Sequence, residues 1–406
     1  MMERKIFSCV WAILLIPALC IIATGPVQAA EKTEILIGAN LSLTGPIAMD
    51  GGEQRWAYEQ AVADVNKDGG IFVKEYGKKL PVKLIVADDE SDPGKAAAAV
   101  EKLIKLQKVD LMLSTHSTPL TIPSCVTAEK YKKYYHATTC LLPVWRPNNF
   151  KWSTMFFFDM WQYSTIPYEI WNSFPESDKV KRPALLMEDT LDGRGMGEGL
   201  RAAAEKYGYK FVLDEPWSVG AKDYSSQILK LKSKKVDALF IFGSPSDCIT
   251  LVRQMKENGC NIPYIHGAKG TWTAEFWDAL RKDAQYILFD GFWHEDFPYP
   301  GAKELGQRFK DQYGKTSVST GCFYATAQIL FQAIEKAGSL DSAKVRDAVL
   351  TYEFKGTVMG DIKYAPDGTA SFQATANQWW NGEQKLVYPF IEGGWKVRLA
   401  SPWDKR

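Results

Sequence analysis

Seven short apolar runs, each followed by an amphipathic or polar stretch, recur along this chain and limit the folds open to it. The runs are EILIGANL (34–41), PVKLIVADD (81–89), DLMLST (110–115), ALLMED (184–189), DALFIFG (237–243), PYIHG (263–267) and YILFDGF (286–292). Each has the length of a strand and is apolar without strict alternation, the pattern of strands covered on both faces. Between the first two, GEQRWAYEQAVADVNKDGG sets Trp56, Ala57, Ala61, Val62 and Val65 on one helical stripe and stops at Gly69-Gly70, a helix terminus. PGKAAAAVEKLIKLQK opens on Pro93 and closes on lysines, the order that suits the two ends of a helix. The alternation predicts an α/β fold of parallel sheets with helices on both faces.

One sheet cannot hold so many units. The irregular, aromatic VWRPNNFKWSTMFFF (144–158) interrupts the alternation, and a second series starts at ALLMED. Two doubly wound lobes are therefore expected, with ligands outside the carboxyl ends of their strands. The residues there share a character: SLTGPIAMDGG, STHSTP, HATTCLLP, EDTLDGRGMGEG, GSPSD and HGAKGTW. Hydroxyls, glycines and helix starts suit a small carboxylate, which accepts several hydrogen bonds. Any one of them is also read as a helix cap; their recurrence in both series favours a binding cleft.

The first thirty residues read as an export signal. Arg4 and Lys5 precede an apolar run from Ile6 to Ala23, and GPVQAAEK offers cleavage after Ala29 or Ala30. The run is too short for a stable membrane span, and Pro17-Ala18-Leu19 before Cys20 is a poor lipid-attachment box. A soluble periplasmic protein is expected. The full sequence carries net +1, and losing Glu3, Arg4 and Lys5 leaves 0, with no footprint for nucleic acid or an anionic membrane. Cys125, Cys140, Cys248, Cys260 and Cys322 remain, an odd number without C-x-x-C; they read as buried hydrophobes, with Cys125–Cys140 the one pairing to consider.

Taken together the chain resembles the periplasmic leucine/isoleucine/valine-binding protein family, the type I solute-binding proteins of ABC importers. The resemblance rests on IGANLSLTGPIAMDGGEQRWAYEQAVADVNKDGGI, LIVADDESDPGKAAAAVEKLI, STHSTP, DYSSQILKLKSKKVDALFIFG, FYATAQILFQAIEKAGSLDSAKVRDAV and GDIKYAPDGTA. It implies two lobes that close on a ligand by hinge motion, crossing near Lys151–Phe157, Gly291–Glu295 and Tyr364–Ala370. The expected lobes are 31–152 with 293–366, and 153–292 with 367–406, after a signal peptide at 1–30. It further implies a small amino acid-like or organic carboxylate ligand, delivery to an ABC permease in the membrane, a monomer, and no cofactor or metal.

Family positions that hold a ligand carboxylate fall near Thr115, His116 and Ser117, and near Thr138, Thr139 and Cys140. The second lobe would add Met196, Ser244, Ser246, Lys269 and Trp272, and Tyr324 would reach the cleft from the first. Two positions depart from the family. Amino-acid-binding relatives place a carboxylate in the segment matching HGAKGTW, where this chain has Lys269; Asp50 stands where relatives often carry an aromatic. A lysine facing a ligand ammonium repels it by ~4 kcal/mol at 4 Å in a medium of effective dielectric 20. Either the ammonium is held elsewhere, for example by Asp50, or the ligand has none. Weak binding of leucine, isoleucine and valine follows, with an aromatic or other organic acid, flanked by Trp161 and Trp272, preferred.

Enzymatic readings lack a motif. GRGMGEG follows a strand, but in neither frame does a glycine fall at the third fingerprint position. There is no G-x-S-x-G, no H-E-x-x-H and no Walker A loop. A ligand-sensing module for a separate receptor is the alternative to transport, and a periplasmic enzyme comes third.

Overall fold

The computed structural model describes residues 32–406, so the expected signal peptide and Cys20 lie outside the described residues. The first apolar run forms β1 (Ile35–Leu41), which leads into α1 (Ala48–Lys67). The helix starts a turn before GEQRW, so Asp50, Gly51 and Gly52 lie in it rather than in a loop. Glycine serves a close approach here rather than a loop: a Cβ on Gly51 would sit 1.9 Å from the Ser42 carbonyl oxygen, just past β1. Only glycine allows the helix to pack there.

A hairpin of β2 (Ile71–Val73) and β3 (Lys78–Leu80) precedes β4 (Val82–Asp88) and α2 (Pro93–Lys105). Then come β5 (Leu111–Leu113), α3 (Thr118–Tyr131), β6 (Tyr135–Thr138), the single turn α4 (Leu142–Trp145) and β7 (Ser153–Phe156). These strands form one parallel sheet in the order β7-β6-β5-β1-β4.

α5 (Met160–Ser173) leads to the second series: β8 (Pro183–Glu188), α6 (Leu191–Tyr207), β9 (Leu213–Trp217) and α7 (Ser225–Ser233). It continues through β10 (Ala238–Gly243), α8 (Pro245–Glu257), β11 (Tyr264–Lys269), α9 (Ala274–Leu280) and β12 (Leu288–Gly291). The strands run β12-β11-β10-β8-β9 in a second parallel sheet. α10 (Ala302–Tyr313), α11 (Thr320–Ala337), α12 (Ser342–Thr351) and the hairpin β13 (Glu353–Thr357) with β14 (Gly360–Lys363) follow. α11 packs along α1, on the side of the first sheet.

The short β15 (Thr369–Ala370) pairs with β7 in the first sheet. β16 (Thr375–Trp380) and β17 (Glu383–Tyr388) then extend the second sheet antiparallel to β12. The chain thus passes between the sheets after β7, after β12 and between β15 and β16. Sheet membership puts the first and third passages a few residues later than the expected breaks at 152/153 and 366/367, because β7 and β15 still pair within the first sheet. Among the described residues, no helix is long and apolar enough to cross a membrane. The five cysteines are buried and free, Cys125 and Cys140 included.

The two sheets repeat one plan. YYHATT, which spans β6, and YIHGAK, which is β11, each place a tyrosine hydroxyl on a histidine Nδ1 two residues on. The distances are 2.9 Å for Tyr134–His136 and 2.8 Å for Tyr264–His266. Three residues beyond each histidine, Thr139 and Lys269 both turn to the left-handed region, at φ 52° and 62°. Gly193 in α6 repeats Gly51: its Cβ would sit 1.8 Å from the Glu188 carbonyl oxygen.

Candidate functional site

The carboxyl ends of the two sheets face one another across a narrow cavity of about 30 Å³, room for about two waters. The first sheet contributes His116 and Ser117 after β5, Thr139 and Leu141 after β6, and Phe157 and Phe158 after β7. The second contributes Asp192 and Met196 from α6, Phe242 from β10, Lys269 and Trp272 at and after β11, and Phe292 after β12; Tyr163 of α5 closes the wall. Three of these residues hold backbone conformations that favour glycine: Thr139, Lys269, and Ser117 at φ 75°, ψ 147°. Backbone strain of this kind persists where the surroundings over-determine it, often at ligand sites.

Lys269 is not the isolated cation that its position in the sequence suggests. Its Nζ donates to Glu188 Oε1 at 2.5 Å and to Asp192 Oδ2 at 3.4 Å, and its side chain is 8% exposed. Burial pushes the ammonium down, but the Glu188 and Asp192 charges outweigh it and hold Lys269 above its usual value. Asp192 also bridges the sheets, accepting from the Thr118 N–H at the start of α3 at 3.3 Å.

Asp50 does not pair with Lys269. Its Oδ1 accepts from Trp272 Nε1 at 3.0 Å, a second contact across the cleft, while Oδ2 has no partner. Burial, then the neighbouring Glu53 charge, raises Asp50 well above the carboxylate range. Burial and the Lys269 charge push His116 down to about 3, so its imidazole is neutral. His116 Nδ1 and the Tyr163 hydroxyl have no hydrogen-bond partner in the protein although both side chains are buried. On a wall rich in aromatic rings they are ready to meet polar atoms of a ligand.

The cavity gathers six of the expected site residues: His116, Ser117, Thr139, Met196, Lys269 and Trp272, with Asp50 behind Trp272. It does not gather the rest. The Thr115 hydroxyl donates to Asp89 Oδ2 at 2.5 Å, and Thr138 donates to the Phe156 carbonyl at 2.6 Å. Cys140 is buried in the core. Ser244 caps α8, its Oγ facing Asp247, and lines a neighbouring cavity that shares Ser117 and Lys269 with this one. Tyr324 donates to Asp64 at 2.6 Å and lies over Arg308, away from the cavity. Trp161 is 44% exposed, under Lys206.

Sequence reasoning missed Glu188, Asp192 and the aromatic walls Phe157, Phe158, Tyr163, Phe242 and Phe292. β8 and β11 both flank β10, so an acid at the end of β8, another in the first turn of α6 and a lysine at the end of β11 were a pairing within reach of the topology.

A sequence profile of the family described as "Periplasmic binding protein" matches residues 34–384. The Leu/Ile/Val-binding protein homolog 1 of Brucella abortus (strain 2308) is 25% identical over 361 residues, covering 88% of this chain and 94% of the relative. Among solved structures, the branched-chain amino acid transporter substrate binding protein LivJ of Streptococcus pneumoniae, in complex with isoleucine, aligns at TM-score 0.77 and 20% identity. It covers 88% of this chain and all of that one. A solute binding protein of an ABC transporter from Rhodopseudomonas palustris BisB5, in complex with 3,4-dihydroxy benzoic acid, aligns at TM-score 0.74 and 17% identity over 92% of this chain and all of its own. The fold is that of these two-lobed proteins, and this chain belongs to the periplasmic binding protein family.

Proposed function

We propose that this chain is the extracytoplasmic solute-binding protein of an ABC importer, and that its ligand is an aromatic carboxylate. The observation that carries the ligand class is the cavity wall: Phe157, Phe158, Tyr163, Phe242, Trp272 and Phe292 surround a few polar groups. Aromatic burial supplies most of the affinity, and the polar groups set orientation. Ser117, Thr139 and the Lys269 ammonium meet the carboxylate, while neutral His116 and Tyr163 meet a polar substituent on the ring. The bound 3,4-dihydroxy benzoic acid of the Rhodopseudomonas relative supports this class.

The cavity as it stands is smaller than any such ligand, so binding starts from a more open arrangement. The lobes separate at the three passages between the sheets, and Asp50–Trp272 and Asp192–Thr118 re-form on closing. The protein works in the periplasm as a monomer and hands its ligand to membrane permease subunits, without catalysis.

A second reading is an aromatic α-amino acid, favoured by Asp192, a carboxylate on the cavity wall able to take an ammonium. Titration calorimetry of the mature protein with 3,4-dihydroxybenzoate, benzoate, phenylalanine and leucine separates the readings. Tight binding of the two benzoates alone supports the first, and of phenylalanine alone the second. Leucine binding tighter than every aromatic compound overturns both. Scattering with and without ligand tests closure, which predicts a smaller radius of gyration when bound.

A further inference from the structure

We propose that a second cavity, beside the aromatic one, binds a small organic ammonium ion between Glu53 and Glu275. The cavity measures about 190 Å³ and lies between α1 and α9, elements of opposite sheets, with Phe309, Tyr313 and Lys315 completing its wall. It is separate from the ligand site: the Trp272–Asp50 hydrogen bond stands between them, with Asp50 one turn before Glu53 on α1.

Glu53 is the informative residue. It is 6% exposed, and Ser317 and Ser319 donate to its Oε2 at 2.6 and 2.5 Å. Its Oε1 has no hydrogen-bond partner although the side chain lines an open cavity, and the buried Glu275 Oε2 is likewise without one. A buried carboxylate oxygen left unmatched is costly. The one cation on the wall, Lys315, ion-pairs with Asp278 instead. Two acids held together repel, and burial followed by the Glu275 charge pushes Glu53 up to about 7 despite the pull of the two serines and of the Ala274 backbone N–H at the start of α9.

A cation between these oxygens removes the repulsion and gives both a partner. Among the described residues, no group of three ligating side chains is placed for a metal ion. The rings of Phe309 and Tyr313, 4.7 Å apart, offer apolar and cation–π contact that suits an alkylammonium. Because the two acids belong to opposite sides of the cleft, the bound ion also favours the closed arrangement.

The test is thermal unfolding of the mature chain with methylammonium or ethylammonium chloride, against sodium and potassium chloride at equal ionic strength. Asp50, Glu53, Glu275, Tyr313 and Lys315 are the titratable groups facing the cavity or adjoining it, so the series is run at pH 6 and pH 8. A saturable rise of about 3 °C or more with the amines at pH 8 is expected. It should shrink at pH 6 as Glu53 takes up its proton, and vanish in Glu275→Gln. Glu53→Gln, which keeps acceptors for the two serines, should abolish it as well and covers a Glu275 variant that does not fold. Equal shifts with sodium or potassium, persistence in a folded Glu→Gln variant, or no amine effect on the wild type overturns the proposal.

Discussion

The two sheets share a backbone plan and divide the chemistry. At equivalent places each has a glycine under the strand-end carbonyl, Gly51 and Gly193, and a tyrosine–histidine pair. Each also turns to the left-handed region at its fourth strand's end, at the last residue of β11 and one residue past β6. On the first side that residue is Thr139, accompanied by Ser117 and a neutral His116; on the second it is Lys269, clamped by Glu188 and Asp192. The same scaffold therefore presents neutral hydrogen-bonding groups from one side and a concentrated charge cluster from the other. The lesson is that strand-end geometry is set by packing, which both halves obey, while ligand chemistry is set by a handful of side chains free to differ.

The largest effect should come from breaking the charged side. Lys269→Met leaves Glu188, 1% exposed, without its cation, and an uncompensated buried charge costs about 3–5 kcal/mol. Thr139→Ala, at the equivalent place, loses only a long hydrogen bond of 3.4 Å to the Thr115 carbonyl and should cost about 1 kcal/mol or less. Urea unfolding of both variants measures the asymmetry. Pairing Lys269→Met with Glu188→Met should recover most of the loss; if it does not, the pair is not what makes Lys269 costly to remove.

The glycines should behave alike in the two halves. Gly51→Ala and Gly193→Ala each drive a methyl group into a backbone carbonyl, and overpacking of this kind costs about 1–3 kcal/mol. Gly52, the next residue in α1, is the control: a Cβ there meets nothing within 4 Å. Gly52→Ala should stabilise by about 0.5–1 kcal/mol through helix propensity alone. A Gly51 variant as stable as the Gly52 one would mean that α1 does not press on β1.

Much of this was legible in the chain. All seven apolar runs became strands within a residue or two, because strands buried on both faces have no polar alternation to blur their ends. The places where a ligand would sit were legible too, since parallel strands deliver their carboxyl ends to one edge. Which side chains point there was not. Thr115 and Thr138 follow the right strands, yet each hydroxyl takes the nearest buried acceptor, Asp89 or the Phe156 carbonyl. Tyr324 sits on a helix face turned to Asp64. The partners of Lys269 lie 81 and 77 residues away, and one-dimensional spacing carries no trace of that distance. Glycine was read as a loop signal where it serves a helix packed against a strand end.

Acid should probe the shared plan. Burial holds His136 down at about 3 and pushes His266 the same way, but His266 Nε2 also lies 2.7 Å from the Asp290 carboxyl, which burial raises. Each histidine is neutral when folded but takes up a proton below about 6.5 when unfolded. The stability this gives is complete above that value and falls as pH drops from 6.5 towards 3, by about 1.4 kcal/mol per pH unit for each histidine. Glu53, raised from 4.5 to about 7, acts oppositely: the folded state gains its proton first, so its contribution grows as pH falls through that window. Asparagine at either histidine should reduce the pH slope of unfolding between pH 6.5 and 5 by one proton. Equal reductions sharpen the symmetry; a reduction at only one would show that the halves bury their histidines differently.

The smallest effect concerns the neutral side and separates its hydroxyls from its backbone. Ser117 stands at φ 75°, ψ 147°, a region that glycine alone enters freely. The residue lines the cavity while its backbone carbonyl receives the Thr121 N–H of α3. Ser117→Gly removes the hydroxyl and the strain together, leaving the backbone free to keep its path. Relief of strain, about 1–3 kcal/mol, is set against the unfolded-state freedom that glycine adds, about 0.5–1 kcal/mol. The variant should therefore melt slightly higher than the parent. If the hydroxyl also holds the ligand, affinity should fall by about 1 kcal/mol, the worth of one ordinary hydrogen bond. Higher melting with weaker binding is the signature of a residue kept in a strained conformation for its ligand. Higher melting with unchanged affinity would assign the anchoring on this side to backbone N–H groups and Thr139. Lower melting would mean that neighbours stabilise the serine more than its backbone strains it, and would remove Ser117 from the strained set that marks the site.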